Sequence, residues 1–194
     1  MKLFDNVYSE NDLAKFIEKS NPAETSNFRL YKGEEDAGLV TLFFKNSEIM
    51  FEVLISLAID DLTRLVIFFE NIINLKEDSA IFLENEEIST PLLYASPIGN
   101  EKIRFLVADG KKVHRLWYED KISNEQIEKE GIWSYEIRCD VIIDKKILLK
   151  DFYRVIKNII NTFIVDENYI YDINYISWKD SLKNIISYLK YHNF

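Results

Sequence analysis

The stretch Tyr135-Glu136-Ile137-Arg138-Cys139-Asp140-Val141-Ile142-Ile143-Asp144 decides the fold class. Tyr135, Ile137, Cys139, Val141 and Ile143 fall on one face and Glu136, Arg138 and Asp140 on the other, the period of a strand with one side in a core and one in solvent. The period then changes. Leu149, Phe152, Ile156, Ile159, Ile160 and Phe163 recur every three or four residues, which marks one buried helical face. A strand that leads through an aspartate into an amphipathic helix is the unit from which the rest of the chain is read.

That unit occurs earlier as well. Phe51-Glu52-Val53 through Ile59-Asp60 aligns with Tyr135-Glu136-Ile137 through Ile143-Asp144, and Asp60 stands as N-cap to a helix burying Leu62, Leu65, Val66, Phe69, Ile72 and Ile73. Ahead of this helix, Phe28 to Tyr31, Leu39 to Lys45 and Ile49 to Ile59 read as an antiparallel meander, broken at Lys32 to Gly38 and Lys45 to Glu48. Ahead of the later helix, strands are expected at Ala80 to Leu83, Leu92 to Ser96, Lys102 to Ala108 and Val113 to Tyr118. Pro91, Pro97-Ile98-Gly99-Asn100 and Asp109-Gly110 separate them, the last as a tight hairpin turn.

A short first helix runs from Ser9 with Leu13, Phe16 and Ile17 on its apolar stripe, and Asn21-Pro22 ends it. A last helix opens at Ser177, paired with Asp180 in capping-box fashion, and buries Leu182, Ile185, Ile186 and Leu189. The expectation is an α+β fold: a mostly antiparallel sheet with amphipathic helices packed on it, in one domain over residues 1–194. Residues 28–76 and 102–165 read as two related strand-then-helix halves, although unrelated segments drawing on the same few residue types give the same pattern.

Composition bounds the function. Apolar residues make up 47% of 194, and 13 Phe and 11 Tyr supply large core groups. The single cysteine, Cys139, excludes an internal disulfide and a cysteine zinc site, and its place on an apolar strand face predicts an inert thiol. The N-terminus lacks a signal-peptide pattern and no run of 18 apolar residues occurs, so the expected location is the cytoplasm. A net charge of −9, from 33 acidic and 24 basic side chains, disfavours nucleic acid and anionic membrane and favours a basic protein partner.

Catalytic material is sparse. The five glycines never cluster into a phosphate-binding loop, His114 and His192 lie far apart, and no cofactor is expected. Asp109, with Glu119 and Lys121 two residues apart further on, has the residue types of a metal-dependent nuclease, in which two carboxylates hold a cation and a lysine polarises water. The candidate partner-binding residues are more numerous: Glu34, Glu35 and Asp36; Glu84, Glu86 and Glu87; and the amphipathic aromatics Trp117, Tyr118 and Trp133.

Phe51 to Ile73 and Ile132 to Phe163, on an acidic Ile-, Lys- and Asn-rich chain, resemble small bacterial immunity proteins that neutralise polymorphic or contact-dependent growth-inhibition toxins. The resemblance implies a protein that binds one toxin domain, often a basic nuclease, and blocks it by direct contact. It carries over no functional residue. A metal-dependent nuclease and a non-catalytic subunit of a larger assembly stand as the alternatives.

Overall fold

Alternating apolar residues carry the strands through several positions that look like breaks. The computed structural model describes residues 17, 20–36, 39–47, 49–56, 61–83, 89–112, 133–163 and 175–192. Among them are eight strands: β1 (Ala23–Glu24), β2 (Phe28–Asp36), β3 (Leu39–Asn46), β4 (Ile49–Ser56), β5 (Ser79–Phe82), β6 (Ser89–Ile98), β7 (Lys102–Lys112) and β8 (Trp133–Asp144). Three helices accompany them: α1 (Asp61–Ile73), α2 (Lys145–Phe163) and α3 (Tyr175–Tyr191). The fold is α+β, in two sheets.

One sheet is the antiparallel meander β2-β3-β4; the other has the order β1-β8-β7-β6-β5, antiparallel except where β1 joins β8. Each meander's last strand is followed by a helix, and the helices exchange. α1, which follows β4, packs against β5 of the other sheet; α2, which follows β8, packs along β2 of the first. Asp151 on α2 accepts a hydrogen bond from the Leu30 N–H at 3.3 Å, so a buried carboxylate meets the edge strand's backbone. α3 packs on both helices.

The inward faces meet in one apolar cluster to which both sheets and all three helices contribute. Phe105 of β7 stands in its middle, with ring centroids 5.6 to 6.5 Å from Phe28, Phe44, Phe68 and Phe69. Phe69 of α1 stacks on Phe152 of α2 at 3.7 Å. A second, smaller cluster on the opposite face of the five-stranded sheet joins Ile17 to Leu92, Tyr94, Leu106 and Ala108. Ile137 packs against it rather than sharing the core face with Cys139, Val141 and Ile143 as its alternation implied, because a register shift between Val107 and Ala108 reverses the facing of β8 there.

Several expected breaks are strand. Asp109-Gly110 is not a hairpin turn: both residues lie inside β7, paired with Pro91 and Thr90 on one side and Glu136 and Tyr135 on the other. The β6–β7 chain reversal falls at Gly99, whose φ of 69° suits a residue without Cβ. Pro91 and Pro97 do not interrupt β6. Each lies outside the four pairs that β6 makes with the short β5, at positions where a missing N–H costs the sheet little. Lys32 to Asp36 continues β2, with a register shift between Lys32 and Glu35 absorbing the irregularity. Ser177 is not a cap, because α3 begins at Tyr175. Residues 1–16 and 113–132, with the expected first helix's start and the strand at Val113, lie outside the described residues.

Candidate functional site

The three-stranded sheet has two unlike faces. Phe28, Leu30, Val40, Leu42, Phe44, Val53 and Ile55 point into the core. By alternation, Tyr31, Leu39, Thr41, Phe43, Met50 and Leu54 share the other face with Arg29, Lys45 and Glu52. Tyr31 is 44% exposed, Leu39 37% and Met50 59%. The Phe43 ring lies across Gly33, where a Cβ would stand only 2.3 Å from it, so the glycine lets an aromatic lie flat on the sheet. An aromatic and aliphatic surface bordered by both signs of charge can bury a partner's apolar side chains and orient them by its rim.

A second feature is a groove of about 450 Å³ where α1 and α3 run side by side. Glu70, Ile73 and Asn74 form one wall and Asn184, Ser187, Tyr188 and Tyr191 the other. Both sets follow the three-and-four spacing of a single helical face. Asn184 Nδ2 donates to Glu70 Oε1 at 2.5 Å across the groove. Burial pushes the Tyr188 phenol up to about 12, with the Glu101 and Asp144 carboxylates adding to the effect. His192 follows the last turn of α3: its N–H donates to the Tyr188 and Leu189 carbonyls, and its ring packs 4.5 Å from Tyr188 and 5.1 Å from Tyr191.

The outer face of the five-stranded sheet carries a polar network that sequence reasoning missed. Arg104 grips Asp140 through two bonds of 2.9 and 2.8 Å and also donates to the Ile17 carbonyl at 2.8 Å and to Ser20. Tyr94 and Ser96 both donate to Asp78 at 2.7 Å, and burial pushes the Tyr94 phenol up to about 12. These carboxylates are already engaged, and the arrangement ties the segment around Ile17 to the sheet. Its centre depends on strand register, since Arg104 on β7 lies diagonal to Asp140, two residues along β8 from its direct partner Ile142.

Of the residues singled out in the sequence, Glu34 is exposed on β2. Glu35 and Asp36 belong to the same strand and Trp133 opens β8. Glu84, Glu86, Glu87, Trp117, Tyr118, Glu119, Lys121 and His114 lie outside the described residues. Asp109 sits mid-strand. Cys139 is buried, and burial pushes its thiol up to about 12, well above the range of a reactive thiolate. Among the described residues no group of three or more His, Cys, Asp or Glu side chains is placed to hold a metal ion. Among them, too, no helix is long and apolar enough to cross a membrane.

No family model, curated protein or solved structure matches this chain.

Proposed function

We propose that this chain is a protein-binding module of the immunity type, which neutralises a basic toxin domain by direct contact through the outer face of the β2-β3-β4 sheet. The observation that carries the reading is the exposure of Tyr31, Leu39 and Met50 on one sheet face whose opposite side is fully committed to the core. Large aromatic and flexible thioether side chains recur at the energetic centres of protein interfaces. A net charge of −9 would speed encounter with a cationic partner, while apolar burial on the sheet would set the residence time.

The test is affinity capture of the tagged protein from its native cells at low and high salt, in parallel with the Tyr31→Ala/Met50→Ala double variant. A stoichiometric basic partner, retained by the native chain and lost by a variant with unchanged circular dichroism, is the expected result. Equal retention by both would move the contact off this face, and a partner that is not a toxin domain would overturn the immunity reading.

A further inference from the structure

The groove between α1 and α3 is polar where two packed helices would ordinarily bury apolar side chains. Leu65, Phe69 and Ile72 on α1 and Leu182, Ile185 and Leu189 on α3 fill the adjacent core, yet the groove face offers a carboxylate, two carboxamides, a hydroxyl and two phenols. Both helices present their carboxyl-terminal halves there. The unpaired carbonyls of such ends carry partial negative charge and attract cations.

The chain already answers that field once: the Lys145 ammonium donates to the Ile73 carbonyl at the end of α1, at 3.3 Å. Other nearby charges are Glu101, which faces the Lys146 ammonium at 3.6 Å, and Asp144, which receives the Lys146 N–H. Those partners are spoken for. Glu70 differs, since its only described bond is the neutral Asn184 amide on one oxygen. Because Asn184 donates through Nδ2, its own carbonyl oxygen is left to accept. Tyr191, at 83% exposure, stands open at the rim.

We propose that this groove is a receptor for an arginine side chain presented by a partner protein. The guanidinium pairs with the Glu70 carboxylate, donates to the Asn184 and Asn74 amide oxygens, and lies against the tyrosine rings. A planar, weakly hydrated fork matches this set better than the compact ammonium of lysine, because it can stack on a ring and bond in its own plane together. Arginine is also the charged residue most enriched at interface centres. The assignment stands on the groove itself and does not depend on the sheet-face reading.

The test uses the full chain and the peptide acetyl-Gly-Arg-Gly-amide, followed by the NMR shifts of the Asn184 side-chain amide. Matching peptides carry lysine or citrulline, the neutral isostere of arginine, in the central position. Saturable shifts with arginine, roughly fivefold weaker binding of lysine and none of citrulline are expected. Glu70→Gln, which keeps the acceptor for Asn184, should weaken arginine binding roughly fivefold, and Tyr191→Ala should also weaken it. Equal response to citrulline, or arginine binding unchanged in both variants, would overturn the proposal; equal binding of lysine would overturn the guanidinium assignment.

Discussion

Asp151 is a buried carboxylate that serves two neighbours. One oxygen accepts the Leu30 N–H and the other the Arg154 guanidinium at 3.0 Å, which is itself largely in solvent. Replacing it with alanine leaves a buried backbone donor without its acceptor, and such a group costs about 1–3 kcal/mol. Asp151→Ala should therefore lower unfolding free energy in urea by about that amount, whereas Arg154→Ala should change it by less than about 0.5 kcal/mol. A loss confined to Arg154→Ala would mean that the ion pair, not the strand cap, is what α2 contributes here.

Residue chemistry of this kind was partly legible beforehand. Alternation placed Cys139, Val141 and Ile143 together on the core face of β8, but it misplaced Ile137, because the bulge opposite Val107 and Ala108 is invisible in a simple two-residue period. Asp151 read only as one more charge on a helix. Nothing local marks a carboxylate whose partner is a backbone N–H in a distant strand.

At the scale of elements, the periodic patterns carried the reading and the punctuation misled it. Leu65, Val66, Phe69 and Ile72 occupy the buried face of α1 as their spacing implies, while Phe68 joins them because the helix is enclosed by β5, α2 and α3. Pro91, Pro97 and Asp109-Gly110 looked like ends of strands. A proline is tolerated beyond the reach of β5, and a glycine mid-strand is held by neighbours on both sides, facts that depend on sheet order rather than on sequence. The candidate surface was legible only as alternation, since which face of β2-β3-β4 meets the core depends on where β7 and the helices pack.

The contact between helices has a definite energetic signature. Phe69 and Phe152 stack at 3.7 Å and both are fully buried. Truncating either to alanine should cost about 3–5 kcal/mol, and a double-mutant cycle should give a coupling of about 0.5–1.5 kcal/mol. Strict additivity in chemical denaturation would show that each ring is held by the surrounding core and not by the other.

For the whole molecule, burial of weak acids sets the alkaline limit. Cys139 moves from 9.0 to about 12, and Tyr94 and Tyr188 from 10.0 to about 12. Each is an acid whose proton the folded state retains longer than the unfolded state does. Below the ordinary values both states are protonated and the contribution is complete; above them the unfolded chain gives up protons first, so stability falls as pH rises toward 12. The urea midpoint should hold steady up to about pH 9 and then decline, and Cys139→Ala should soften the first part of that decline. A flat profile through pH 11 would contradict the burial of all three groups.

The exchange of helices between sheets also has a consequence for the order in which the chain can become itself. The Leu30 amide waits for a carboxylate 121 residues further along, and at a synthesis rate of about 5–20 residues per second that is roughly 6–24 seconds on the ribosome. During this interval the first meander emerges with β2 uncovered and its aromatic faces open to other nascent strands. Until α2 arrives, the β2 edge keeps a backbone donor without its native acceptor.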